Sequence, residues 1–136
     1  MDENTISVSC KKANLKRIRT FVADMLEPYA LADVLKNQLI LAVDEISANF
    51  IIHSNHEDES KQIRVGFTSK GRQLIFEISD EGAAFSPDNY HEPVLRDLIL
   101  QGRKGGVGIL LVNRIMDKVE YLRKGNRNIC RMYKTV

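Results

Sequence analysis

The 136-residue chain is poor in the features that mark most specialised protein classes. It has two cysteines, Cys10 and Cys130, far apart and near no histidine, so neither a disulfide framework nor a metal-ligand spacing can be drawn. Twenty basic against eighteen acidic side chains leave a formal charge of +2. That bias is too small for a nucleic-acid surface, although Lys11, Lys12, Lys16, Arg17 and Arg19 make one stretch locally basic. No apolar run reaches the length of a bilayer, and the amino terminus has no basic region leading into an apolar one. There are no repeats and no low-complexity tracts. These absences predict a cytoplasmic globular protein with reduced thiols that binds neither nucleic acid nor membrane. With 43% hydrophobic content, 136 residues suit a single domain with one core, residues 1–136.

What is present is strongly patterned. Ile6 and Val8 alternate with polar neighbours and predict a first short strand. Leu15, Ile18, Val22, Met25 and Leu26 recur at helical spacing from about Asn14 until Glu27-Pro28. A second helix is predicted over residues 31–54, with Leu35, Leu39, Ala42 or Val43, Ile46 and Phe50 buried, before the polar "SNHEDES". "KQIRVGFTSK" and "RQLIFEISD" read as a hairpin, and the last twenty residues as another, turned at Gly125-Asn126. A third helix is predicted from Val107 to Met116. The long connection before it holds two prolines and one short amphipathic piece, Val94, Leu95, Leu98 and Ile99, which predicts a functional loop or lid at about residues 83–105. The order of elements gives an α+β fold, a two-layer α/β sandwich with a mainly antiparallel sheet and helices on one face.

Three stretches bear chemistry. In "VDEISANFIIHS", residues 43–54, Glu45, Asn49 and His53 recur every fourth residue and so form a polar stripe on an otherwise apolar helix. An unpaired buried carboxylate is costly, so the stripe must meet a partner, water or a cleft. Glu45 can accept a proton, Asn49 offers a neutral oxygen suited to Mg²⁺, and Asp44 is expected to face solvent. In "EISDEGAAF", a strand delivers Asp80 to a turn, where it can accept from an exocyclic amine such as that of adenine, and Gly82 lets a flat ring approach. In "GRKGGVGIL", Gly105, Gly106 and Gly108 precede the apolar helix "ILLVNRIM" beside Arg103 and Lys104, and backbone amides at its amino terminus make a site for phosphate. It lacks the Gly-Lys-Ser/Thr ending of a Walker A loop and the third glycine of a dinucleotide fingerprint. Taken alone, each stretch has an ordinary structural explanation: a half-exposed helix, an Asp-Gly turn and a glycine hinge.

Their order and spacing together are specific. From Ile6 to Lys134 the chain resembles the GHKL (Bergerat-fold) ATPases, with their histidine-kinase-like ATPase domain, and within them the short anti-sigma factor serine kinases of bacterial partner-switching systems. "LAVDEISANFIIHS" is similar to the N box, "ISDEGAAFSP" to the first glycine box, and "GGVGILLVNRIMDKVEY" to the second. The resemblance implies that Glu45 activates a serine hydroxyl and that Asn49 ligates Mg²⁺. It implies that Asp80 holds the adenine amine beside Gly82, that Gly106, Val107 and Gly108 wrap the phosphates, and that His53 plays a supporting role. Ala84 stands where a second glycine is often found. Relatives often carry a threonine near adenine on the last strands, and the candidates for that place here are Asn128 and Cys130.

The function so implied is an ATP- and Mg²⁺-dependent protein serine kinase acting as an anti-sigma regulator, which phosphorylates an antagonist protein and holds a sigma factor or similar client. The relatives are commonly dimers. A nucleotide-dependent partner-binding module without turnover is the alternative. The ATP domain of a sensor histidine kinase is the least expected, because the 136 residues hold no preceding helical hairpin with a phosphoacceptor histidine.

Overall fold

Alternation of apolar and polar residues along five segments builds one antiparallel sheet in a computed structural model that describes residues 4–80 and 104–136. The strands are β1 (Thr5–Ser9), β2 (Gln62–Lys70), β3 (Gln73–Asp80), β4 (Lys118–Lys124) and β5 (Arg127–Thr135), in the order β1-β2-β3-β5-β4. Gly71 and Gly125 turn the two hairpins at φ +58° and +59°, a backbone conformation open to glycine at little cost. In β2 the apolar members of the alternation, Ile63, Val65 and Phe67, are buried and their neighbours are not. Leu74, Phe76 and Ile78 of β3 and Cys130 and Met132 of β5 join them on the same face.

Among the described residues three α-helices cover that face: α1 (Leu15–Leu26), α2 (Asp33–Asn49) and α3 (Lys104–Ile115). Ile18, Val22 and Leu26 recur every fourth residue and form the buried stripe of α1, which ends at a 3-10 turn, Glu27–Tyr29, containing Pro28. α2 packs against both other helices, and its Leu39, Ala42, Val43 and Ile46 are fully buried. Ile109, Val112 and Ile115 of α3 complete one continuous core. The Nζ of Lys134 donates to the Ile115 carbonyl at 2.9 Å and so satisfies one end of α3.

The fold class, the strands and both hairpins match the sequence reading. Two helix boundaries differ. The predicted helix over residues 31–54 is α-helical only to Asn49 and continues over Phe50–Ser54 as a π-turn. α3 begins at Lys104 instead of Val107, because glycine lowers helix propensity without forbidding the conformation. Lys104 and Gly105, expected at the end of the lid, therefore lie in a helix, and the rest of the expected lid, with its short amphipathic piece, lies outside the described residues. Among the described residues no helix is long and apolar enough to cross a membrane.

Candidate active site

Glu45 and Asn49 stand one turn apart near the carboxyl end of α2, on the helix that touches both its neighbours. The Glu45 side chain lies on the backbone of buried Gly108 in α3. A Cβ placed on Gly108 would come within 2.6 Å of the Glu45 carboxyl carbon and 3.1 Å of its Cγ. The two motifs thus meet through a contact that only glycine allows. Burial against α3, and secondarily the charge of Asp44, push the Glu45 carboxyl above the ordinary glutamate range. Asp44 itself does not simply face solvent: it accepts a 2.8 Å bond from Arg19 of α1, because α1 packs along that side of α2.

Asn49 is buried, and its Nδ2 has no hydrogen-bond partner among the described residues. That N–H donor retains capacity for an acceptor such as a phosphate oxygen, whereas a cation would be met by the side-chain oxygen. His53 does not extend the α-helical line of Glu45 and Asn49, because it lies in the π-turn, where the repeat widens. Among the described residues no group of three or more His, Cys, Asp or Glu side chains could hold a metal ion. A divalent cation here would depend on a neutral oxygen such as that of Asn49 together with phosphate and water, a donor set that suits Mg²⁺.

Asp80, the last residue of β3, is 4% exposed. The β3–β5 register sets it opposite Asn128, whose Nδ2 donates to Oδ1 at 2.9 Å and whose main-chain N–H reaches the same oxygen at 3.4 Å. Asn55 Nδ2 donates to Oδ2 at 3.0 Å. Asn55 also ends the π-turn: its main-chain N–H and its Nδ2 donate to the Phe50 carbonyl at 3.0 and 2.8 Å. Sequence reasoning missed Asn55, which is hidden in the polar "SNHEDES" although it is 2% exposed. Of the two candidates for the threonine's place, Asn128 touches Asp80 directly. Cys130 is a fully buried thiol pushed far above its ordinary range by burial, and Cys10 is pushed up to about 11, chiefly by burial and then by Asp80 and Asp58. Neither is a thiolate at neutral pH.

Gly108 is thus brought against Glu45. Lys104, Gly105, Gly106 and Val107 form the first turn of α3, and Gly82, Ala84 and Arg103 lie outside the described residues.

Residues 8–134 match the histidine kinase-like ATPase domain family. The chain is 28% identical over 107 residues to the serine/threonine-protein kinase BtrW of Bordetella bronchiseptica, covering 76% of this chain and 75% of that protein. It is 31% identical over 91 residues to the serine-protein kinase RsbW of Oceanobacillus iheyensis, covering 60% of this chain and 54% of the relative. Its fold superposes on a chain of the SiaB–SiaC complex from Pseudomonas aeruginosa with a TM-score of 0.62 at 11% identity, over 97% of this chain and 89% of that one. The histidine kinase AdeS of Acinetobacter baumannii superposes with a TM-score of 0.53 at 13% identity, over 99% of this chain and 68% of that one.

Proposed function

Because the chain belongs to the histidine kinase-like ATPase domain family, we propose that it is an ATP- and Mg²⁺-dependent protein serine kinase of a partner-switching system. In this reading it phosphorylates a serine of an antagonist protein and otherwise holds a sigma factor or similar client. The contact between Glu45 and Gly108 carries the proposal, since it joins the candidate base to the helix that would receive the phosphates. Two relatives named as serine kinases support the reaction class. A cytoplasmic site of action, a homodimer and one ATPase domain over residues 1–136 belong to the same reading.

The roles follow from what each group can do. Asp80 accepts from the 6-amino group of adenine, with Gly82 bordering the ring. Arg103, Lys104, Gly105, Gly106, Val107 and Gly108 enclose the triphosphate: the first turn, Lys104 to Val107, offers main-chain N–H groups that its glycines leave uncovered, and Gly108, one residue on, seats Glu45 beside them. Asn49 would hold Mg²⁺ through its side-chain oxygen, and the cation would neutralise phosphate charge. Glu45 orients the serine hydroxyl and takes its proton. Its raised pKa makes it a stronger proton acceptor than an ordinary carboxylate. Phosphoryl transfer needs little covalent chemistry from the protein, so positioning and charge suffice.

The decisive experiment is calorimetric titration of ATP and ADP, with and without Mg²⁺, into the wild type, Asn49→Ala and Asp80→Asn, followed by incubation with labelled ATP and an antagonist protein. Mg²⁺-dependent binding that needs Asp80, with label on a serine, is the expected result. Tight binding without label transfer favours the non-catalytic binding module, and absence of nucleotide binding overturns the reading.

A further inference from the structure

We infer that Asn55 and Asn128 are positioning residues that fix Asp80 as a one-acceptor site and thereby make it selective for a 6-amino purine. This rests on the nucleotide-binding reading above.

An ionised carboxylate offers about four acceptor positions. Three are occupied at Asp80, by Asn55 Nδ2 on Oδ2 and by the Nδ2 and main-chain N–H of Asn128 on Oδ1. Among the described residues one position remains open, on Oδ2. Neither asparagine can turn to offer an oxygen instead. Asn128 Oδ1 is taken by the Arg123 guanidinium at 2.6 Å, so its Nδ2 must face Asp80. Asn55 Nδ2 is shared between the Phe50 carbonyl and Asp80, which uses both of its protons.

All three groups are almost wholly buried: Asp80 is 4% exposed, Asn55 2% and Asn128 0%. The carboxylate is therefore held from both sides and cannot rotate to present a different edge. A purine with an amino group at position 6 can donate to the one remaining position. A 6-oxo purine sets a lone pair against that position and leaves both groups unpaired, which in a dry site is costly. Without either asparagine the carboxylate is free to turn or to admit water, and the distinction weakens.

The test is equilibrium binding of ATP and ITP, which differ in the amino or oxo group at that atom, to the wild type, Asn55→Ala and Asn128→Ala, with thermal unfolding of each. The wild type is expected to prefer ATP by about 10- to 100-fold, the range of one hydrogen bond to a charged group. Each alanine variant is expected to lose about 10-fold in ATP affinity while ITP changes by no more than about 2-fold, so the ratio collapses. Where an alanine variant does not fold, Asn55→Ser and Asn128→Ser, too short to reach Asp80 but still polar, are read in the same way. If the variants weaken ATP and ITP equally, the asparagines are merely structural and the inference is overturned. A wild type that binds both nucleotides alike overturns it too, while nucleotide binding itself stands. A wild type that binds neither overturns the nucleotide reading and this inference with it.

Discussion

The Glu45 carboxylate fills the space that a side chain at Gly108 would need. Gly108→Ala therefore displaces Glu45 more than it breaks the fold, because the obstructing atoms are the free end of a flexible side chain. We expect a stability loss of about 1–2 kcal/mol and a fall in phosphotransfer of about 100-fold or more. Chemical denaturation separates the two effects. The double variant with Glu45→Ala should recover the stability of Glu45→Ala alone, and a double variant as unstable as the sum of both changes rules the contact out as the cause.

Glu45→Gln tests the base and carries its own pH signature. Burial raises the carboxyl's folded pKa, so the folded state disfavours the ionised form and Glu45 lowers stability at neutral pH. Below the unfolded pKa the group is protonated in both states and this cost is gone. The glutamine variant should thus be the more stable protein at pH 7 and equal to wild type near pH 4 on thermal unfolding. Its phosphotransfer should fall by about 100-fold or more with nucleotide affinity nearly kept. Wild-type activity should be lost on the acid side at a pH above the ordinary carboxylate range, and Asp44→Asn should move that limb down.

Asn49→Ala should make nucleotide binding indifferent to Mg²⁺. In the wild type, chelation of Mg²⁺ is expected to weaken ATP binding by about 10-fold or more, the scale of a lost charge-assisted contact. The variant should already sit at the chelated level. A variant that still gains affinity from Mg²⁺ to the wild-type extent removes Asn49 from the cation's donors.

Asp80→Ala should destabilise the fold as well as abolish nucleotide binding. It strands the donors of Asn55 and Asn128 in the interior, at about 2–5 kcal/mol. Asp80→Asn should lose less stability, because its oxygen still receives one neighbour while its amide meets the other donor to donor. Urea denaturation of both variants gives the ranking, and equal losses contradict the clamp.

Much of this architecture was legible in the sequence because it is written locally. The alternation of Ile63, Val65 and Phe67, the turn glycines 71 and 125 and the four-residue spacing of Ile18, Val22 and Leu26 each determine an element from neighbours alone. The meeting of Glu45 with Gly108 needed the resemblance of two motifs to one family. What escaped was set by distant partners. Asn55 reads as a loop residue, and its burial follows from Asp80 on β3 and the π-turn before it. Asp44 reads as solvated, and Arg19 of α1 holds it. The π-turn itself breaks no apolar period strongly enough to be seen in "NFIIHSN".

The β3–β5 seam has a consequence for when the protein becomes competent. β2–β3 and β4–β5 are hairpins that close from neighbouring segments, whereas β3 finds β5 only across the whole intervening chain. Asp80 lies on one side of that seam and Asn128 on the other. A growing chain that has delivered Glu45, Asn49 and Asp80 still lacks two of the three donors around the Asp80 carboxylate. Completion of the Asp80 cluster thus waits, during synthesis, for β5 to dock beside β3.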